Sequence, residues 1–289
     1  MPQPPLTVFY SPAYAVDGKM ETVSKSKLVA GLIESGAAGE VRLEVPKPAT
    51  RRELELIHEA EHVRHTLEDK GAFLEVGPWS RPLVDSILAS TGGMRDAVKE
   101  ALKNGRSGSL SSGLHHARRD SGNGFCQFNG LALAALEALK KVRTVGILDL
   151  DAHAGGGTFD ILGAHPQVYL ADVTVSPFDS WEPTDPARHF YVDVEKPKAY
   201  LGHVEDALNT LERVDFLIYN AGMDTYEKAG GMKGITKDII FKREKRVVEW
   251  ARARKIPHIF ALAGGYKWGG LSLQQVAELH LETVKAFAA

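Results

Sequence analysis

The segment TVGILDLDAHAGGGT is an apolar run that ends in two carboxylates and an imidazole, at Asp149, Asp151 and His153. Side chains two residues apart on a strand point to the same side, so this spacing gathers oxygen and nitrogen ligands on one face. Ligands of these types suit a divalent metal ion. Alternatively, the two aspartates stabilise the turn after the strand and His153 makes an ordinary hydrogen bond. The segment alone leaves both interpretations open.

Three further segments carry side chains that could act at such a site. These are the aspartate after VDFLIYN, the paired histidines of GLHHARRD and the tyrosine after FALAGG, which are Asp224, His115, His116 and Tyr266. Each has an ordinary explanation by itself, as a turn residue, an incidental pair or an exposed turn tyrosine. Together they would supply a metal ligand, a general base and a phenol donor on loops around one sheet.

The chain between these motifs alternates between two kinds of pattern. Six short apolar runs predict strands, at residues 6–10, 144–150, 167–173, 189–194, 214–220 and 257–263. Helical patterns occupy residues 53–69, 82–103, 129–140, 204–213, 237–254 and 273–287. Continuously apolar strands that alternate with helices favour a mainly parallel sheet with helices on both faces. The sequence therefore predicts the α/β class, with ligands bound at the carboxyl ends of the strands.

No internal repeat or long linker divides the chain, so we expect a single domain over residues 1–289. The glycine-rich stretches at 105–113, 154–157, 229–234 and 264–270 are expected to be loops at the ends of elements. Ser272 and Gln275 have the spacing of a capping box, which predicts the start of the last helix.

The composition restricts the classes of function. With 35 basic and 37 acidic side chains the formal charge is −2, which argues against nucleic acid as a partner. Cys126 is the only cysteine, so no internal disulfide forms, and the first residues lack the pattern of a secretion signal. No apolar run approaches the roughly 18 to 20 residues that span a bilayer. We expect a cytoplasmic protein that binds neither nucleic acid nor membranes.

The order of the motifs HH, GFCxFN, DxDxH, NAGxD and GGY, over about residues 110–270, resembles the histone deacetylase family of zinc amidohydrolases. The spellings DLDAH, YNAGMD and IPHIFALAGGY are most similar to its class IV branch. The resemblance implies the arginase/deacetylase fold, which is a single α/β domain around a mainly parallel sheet. It also implies hydrolysis of an acyl group, such as acetyl, from a lysine side chain or a polyamine-like amine.

The resemblance assigns roles to residues of this chain. It implies that zinc is held by Asp151, His153 and Asp224, although ferrous iron would accept the same ligands. It implies that His115 or His116 takes a proton from the attacking water, and that the phenol of Tyr266 stabilises the oxyanion. Asp149 orients His115 and, with Ser176, matches a structural potassium site. The substrate channel is implied at Gly124, Phe125, Gly264 and Gly265.

The sequence departs from the family pattern at Gly156. The family usually has an aspartate or asparagine there, whose side chain hydrogen-bonds the second histidine. The partner of His116 is therefore expected to be missing or to come from another part of the chain, which alters its tautomer and pKa. This difference favours His115, which keeps Asp149, as the general base. It also leaves open a metal-binding protein that holds acylated ligands without hydrolysing them.

A second metal-type motif lies at His58, Glu59 and His62, which have the HExxH spacing of zinc peptidases. Glu61 also permits the inverted spacing. The segment ELELIHEAEHVRHTLEDK is heavily charged and no third ligand follows, so we interpret these histidines, and His65, as the polar surface of a solvated helix.

Three features have structural explanations. The segment FKREKRVVEWARARK indicates an amphipathic helix with a basic exposed face rather than a nucleic-acid site. Cys126 is interpreted as a small packing residue rather than a nucleophile. Residues 183–186 are expected to lie in a surface loop that could border the pocket.

Overall fold

In the computed structural model, which describes residues 4–16, 21–112 and 114–289, eight parallel strands form one central sheet. They are β1 (Leu6–Phe9), β2 (Val41–Glu44), β5 (Arg106–Ser109), β6 (Val145–Asp149), β7 (Val168–Thr174), β8 (His189–Asp193), β9 (Phe216–Asn220) and β10 (His258–Ala261). The two remaining strands, β3 (Phe73–Leu74) and β4 (Gly77–Pro78), form a separate antiparallel hairpin. The strand order in the sheet is β2-β1-β5-β10-β9-β6-β7-β8. Because all the strands run in one direction, the loops after β6, β7, β9 and β10 meet at one edge.

Helices cover both faces of the sheet. They are α1 (Glu21–Glu34), α2 (Arg51–Leu54), α3 (Ala60–Glu68), α4 (Arg81–Asn104), α5 (Gly130–Leu139), α6 (Gly156–Leu162), α7 (Tyr200–Thr210), α8 (Lys237–Arg254) and α9 (Leu273–Ala288). Alternate side chains of β9 point to opposite faces, since Leu217 and Tyr219 join the core beneath α7, α8 and α9, whereas Phe216 and Ile218 join the core beneath α4 and α5. This double coverage explains why the strands are apolar throughout.

The α/β class is confirmed, and so are all six predicted strands. Five predicted helices are confirmed, and the capping box of Ser272 and Gln275 forms as expected. The helix expected over 53–69 is wrong as one element, because a turn separates α2 from α3. Within the described residues, no helix has both the length and the apolar character needed to cross a bilayer.

The strand β5 corrects the prediction that 105–113 is a loop, of which residue 113 lies outside the described residues. Its sequence, RSGS, has no large apolar side chain, yet it lies at the centre of the sheet between β1 and β10. A Cβ at Gly108 would lie 2.1 Å from the ring of Phe260, so the neighbouring strand supplies the bulk that β5 lacks. The stretch 154–157 was also expected to be a loop, but α6 begins within it. The sequence did not predict α1 or β2.

The surface interpretation of the HExxH segment is wrong for His58 and His62, whereas the side chain of His65 is 44% exposed. His58 and His62 are buried against Phe128, and His58 lies before α3 rather than on it. Nδ1 of His58 bonds the carbonyl of Arg118 at 2.7 Å, and its Nε2 accepts the amide N–H of Asn129 at 3.0 Å. These bonds attach the segment before α3 to the loop that carries His115 and His116 and to the start of α5, so the motif is part of the scaffold.

Candidate metal centre

Two neighbouring strands bring the predicted ligands together. In the register of β6 and β9, Asp149 pairs with Asn220, so the segments that follow these strands lie side by side. They carry Asp151 and His153 after β6 and Asp224 after β9. Ligand atoms of these three residues lie within 4.8 Å of one another. The geometry required for a shared ion is therefore present.

Backbone amides hold both carboxylates in place. Asp151 accepts the N–H of His153 at 3.0 Å and that of Gly264 at 2.7 Å, on different oxygens. Oδ1 of Asp224 accepts the N–H of Ala152 at 3.0 Å. The ring nitrogen Nδ1 of His153 lies 3.2 Å from Asp151 Oδ1 and 3.4 Å from Asp224 Oδ2. The carboxylates are oriented before any ion binds.

Two observations show that this cluster fits a divalent cation. Oδ2 of Asp224 is buried and accepts no well-aligned hydrogen bond from the described part of the chain, its only close cationic neighbour being Nδ1 of His153 at 3.4 Å, so this oxygen is available to a cation. Burial lowers the pKa of His153, but Asp151 and Asp224 outweigh burial and raise this pKa to about 10, so the cluster attracts positive charge. Three protein ligands would leave coordination positions open, as hydrolysis requires.

The rings of the two adjacent histidines lie with their centroids 3.9 Å apart and their planes tilted by 37°, and each ring is bonded to its own carboxylate. Nδ1 of His115 lies 2.8 Å from Asp149 Oδ2. Asp149 is held in turn through Oδ1 by the amide of Asp151 at 3.1 Å and by Nδ2 of Asn220 at 3.0 Å. Burial lowers the pKa of His115, but Asp149 and Asp151 raise it to about 9. His115 is therefore fixed through Nδ1.

The partner of His116 comes from another loop. Asp179, in the segment after β7, lies 2.8 Å from Nδ1 of His116 through Oδ2 and accepts a hydrogen bond from Arg118 through Oδ1. A Cβ at Gly156 would lie 2.5 Å from Asp179 Oδ1. Burial and the charge of His115 lower the pKa of His116 to about 4 despite Asp179. Of the two expected outcomes at Gly156, the structure shows a partner supplied from elsewhere.

A small cavity lies beside these groups. The predicted residues that line it are His115, His116, Gly124, Phe125, Asp151, Gly264 and Tyr266. The ring of Tyr266 stacks on the exposed ring of Trp268 at 4.2 Å, and Phe178 lies edge-on to His116 at 5.0 Å. The sequence motifs did not identify Trp268, Phe178 or Asp179, because all three lie on irregular loops outside the motif segments.

Gly265 and Ser176, two further predicted residues, lie beside the cavity rather than on its wall. Gly265 faces the buried ring of His280, since a Cβ there would lie 2.6 Å from Nε2. Ser176 forms an isolated parallel bridge with His153, next to the ligand segment. Cys126 lines the cavity but is buried, and burial raises the pKa of its thiol well above the usual value, which fits packing rather than nucleophilic attack.

Comparison with known proteins places this fold and site in context. The histone deacetylase domain matches residues 19–284. An Arabidopsis thaliana protein named histone deacetylase 2 is 27% identical over 92% of this chain and 76% of its own length. An uncharacterized protein of Picosynechococcus sp. is 30% identical over 90% of this chain and 91% of its own length.

The fold has a counterpart among solved structures. That of acetylpolyamine aminohydrolase from Burkholderia pseudomallei superposes with a TM-score of 0.78 over 98% of this chain and 99% of that chain, at 17% identity. The predicted arginase/deacetylase fold is confirmed by this likeness.

Proposed function

The chain belongs to the histone deacetylase domain family, and from this membership we propose that it is a zinc-dependent amidohydrolase. Its substrate would be an N-acyl amine, with acetyl as the simplest acyl group and a lysine side chain or a polyamine as the amine. The observation that carries the proposal is a cluster of three candidate ligand side chains, one of which, Asp151, lines the same cavity as two carboxylate-bound histidines and a phenol.

Asp151, His153 and Asp224 would hold the ion. A zinc ion held there would supply Lewis acidity, which would polarise the amide carbonyl and make water more acidic. Because Nδ1 of His115 and Nδ1 of His116 are each bonded to a carboxylate, Nε2 is the nitrogen that each ring offers for proton transfer. One Nε2 takes a proton from the attacking water, and a proton then passes to the leaving amine.

Tyr266 completes the proposed machinery. The residue is 7% exposed and lines the same cavity as the histidines, so its phenol can donate to the carbonyl oxygen as negative charge develops there. Gly124 and Phe125 form the adjacent wall, and both have positive φ angles, 52° and 67°. A Cβ at Gly124 would lie 2.4 Å from the ring of His116. Only glycine at this position therefore allows the wall to lie so close to the histidine.

The reason for preferring His115 over His116 as the general base no longer holds. That preference depended on His116 lacking a partner, and Asp179 supplies one. The lowered pKa of His116 keeps its ring neutral near pH 7 and able to accept a proton. Both histidines are therefore proposed as the proton-transfer pair, with Asp149 and Asp179 orienting them.

The two alternative functions lose support. The non-hydrolytic interpretation was based on Gly156, and the carboxylate of Asp179 fills that space. The peptidase interpretation requires His58 and His62 to offer ring nitrogens to a metal. Both nitrogens of His58 are bonded to backbone groups, and Nε2 of His62 lies 2.9 Å from the carbonyl of Gln127.

The test is a panel of acylated lysine peptides and acylated polyamines, assayed for carboxylate release by protein reconstituted with zinc or with ferrous iron. We expect release from at least one class of amine, lost on chelation and restored by the metal. Tight binding of acylated ligands with no carboxylate release would favour the non-hydrolytic alternative.

Three expectations from the sequence stay predictions. They are a potassium ion near Asp149 and Ser176, a single domain over residues 1–289, and a cytoplasmic location.

A further inference from the structure

Arg243 is a fully buried cation behind the metal centre. It lies on α8, which was expected to expose its basic residues. Lys242 and Lys245 are exposed as expected, but Arg243 is 0% exposed. An arginine is taken out of water only where its donors are satisfied, so its contacts indicate what it does.

The guanidinium contacts both ligand-bearing segments. Nη1 donates to the carbonyl of Leu150 at 3.0 Å, and Leu150 immediately precedes Asp151. The same nitrogen donates to Oγ1 of Thr225 at 3.0 Å, and Thr225 immediately follows Asp224. Nη2 lies 3.6 Å from the sulfur of Met223, which precedes Asp224. One planar group thus bridges the segment after β6 and the segment after β9.

The other side of the guanidinium is anchored away from the ligands. Glu244 pairs with Nη2 at 2.7 Å and with Nε at 2.8 Å, and the hydroxyl of Tyr219 donates to the same Glu244 oxygen at 2.7 Å. The hydroxyl of Tyr200 lies 3.1 Å from Nη1 and shares its two N–H groups with Leu150 and Thr225. Because the guanidinium is rigid and anchored, it fixes the separation of the two segments that it contacts.

We propose that Arg243 is a positioning residue that sets the distance between the carboxylates of Asp151 and Asp224 and thereby the zinc affinity. It acts through Leu150, Met223 and Thr225, and it touches neither ligand side chain nor the cavity wall. The proposal depends on the proposed function, since it requires that these carboxylates hold a metal ion.

The test compares two substitutions that each delete one buried hydroxyl from this network. Thr225→Val keeps the side-chain shape and removes the acceptor that joins Arg243 to the Asp224 segment. Tyr219→Phe removes a hydroxyl whose partner is Glu244. Zinc affinity is measured by competition with a chromophoric chelator, the absorption spectrum of the cobalt-substituted protein reports ligand geometry, and thermal unfolding reports stability.

We expect Thr225→Val to weaken zinc binding about tenfold or more, since residues that orient metal ligands typically contribute factors of about 10 to 100. Its cobalt spectrum should also change. Tyr219→Phe should keep the zinc affinity and the cobalt spectrum of the wild type, even if both variants unfold at equally reduced temperatures. Equal zinc affinities in the two variants would overturn the positioning role while leaving the proposed function intact.

Arg243 itself is tested with its counter-ion removed, because Arg243→Met alone would strand the buried Glu244. Arg243→Met combined with Glu244→Gln should fold and bind zinc more weakly than Glu244→Gln alone. The same zinc affinity in both would overturn the inference. A wild-type protein that binds no zinc would overturn the proposed function and this inference together.

Discussion

The carboxylate of Asp179 lies 2.8 Å from Nδ1 of His116 and occupies the space that a side chain at residue 156 would need. The pairing depends on two loops, because Gly156 begins α6 after β6 whereas Asp179 follows β7. A glycine at one position thus makes room for a carboxylate from the other. The orientation of His116 is therefore coupled to a surface loop that the motif around Asp151 does not include.

Replacing Asp179 by alanine should lower turnover at least about tenfold, since general acid–base catalysis contributes about 100-fold or more and requires an oriented ring. Asp179→Asn retains an acceptor and should lose less. The control is Asp185→Ala on the same loop, where the carboxylate pairs with Arg188 near the surface. Steady-state kinetics of the three variants checks this, and wild-type turnover in Asp179→Ala would remove the role of Asp179.

Tyr266→Phe should lower kcat much more than it weakens substrate binding. A phenol that donates to the developing oxyanion contributes mainly in the transition state, so its loss affects the chemical step. The ring should remain in place, because its stacking on Trp268 does not involve the hydroxyl. The measurement is kcat together with the Kd of a non-hydrolysable acyl analogue. Parallel losses in both quantities would argue against the oxyanion role.

Gly264→Ala should abolish zinc binding at ordinary zinc concentrations. A Cβ at residue 264 would lie 2.2 Å from Asp224 Oδ2 and 2.5 Å from Asp151 Oδ2, so both ligands would have to move. Gly202→Ala is the matched control, since a Cβ at that α7 position meets no atom within 4 Å. It should keep zinc affinity and add up to about 1 kcal/mol of stability, the usual helical gain of alanine over glycine. Zinc content after dialysis distinguishes the two variants, and a zinc-replete Gly264→Ala protein would refute the predicted crowding.

Asp172→Asn should change how stability depends on pH. Burial and the neighbouring Asp149 raise the pKa of Asp172 to about 8, against 3.8 for an ordinary aspartate. The folded protein therefore keeps this proton to about pH 8, whereas the unfolded chain loses it near pH 4, so wild-type stability falls as the pH rises through this range.

Asparagine cannot ionise and avoids that loss. Urea unfolding of the metal-free wild type and Asp172→Asn at pH 5 and pH 8 should show the variant gaining relative stability at pH 8. The same difference in unfolding free energy at both pH values would show that Asp172 is ionised in the folded protein throughout.

The sequence was sufficient for the elements and residues with a local signal. Strands such as Val145–Asp149 were predicted because both of their faces are buried, which makes them apolar throughout. The candidate ligands after β6 and β9 were assigned from the resemblance of the motif order to a known family, whereas the ends of the apolar strands indicated only where a ligand would bind. By contrast, Arg106–Ser109 was missed because its central position depends on the ring of Phe260 from a neighbouring strand.

The residues that support the site could not be found in the same way. Asp179 lies on an irregular loop, and its pairing with His116 depends on how the loops after β6 and β7 meet. Arg243 has the periodicity of an exposed basic face, and its burial follows from contacts with Leu150 and Thr225 that are distant in sequence. Such partners are determined by tertiary packing.

The most direct test of the central claim is the rate of carboxylate release from an acylated amine as zinc is titrated into the metal-free protein. The cluster of Asp151, His153 and Asp224 predicts that the rate rises in proportion to zinc up to one ion per chain and then stays constant. Asp224→Asn should show no such rise at the same zinc concentrations. A rate that does not depend on zinc, or full zinc binding without any carboxylate release, would contradict the account.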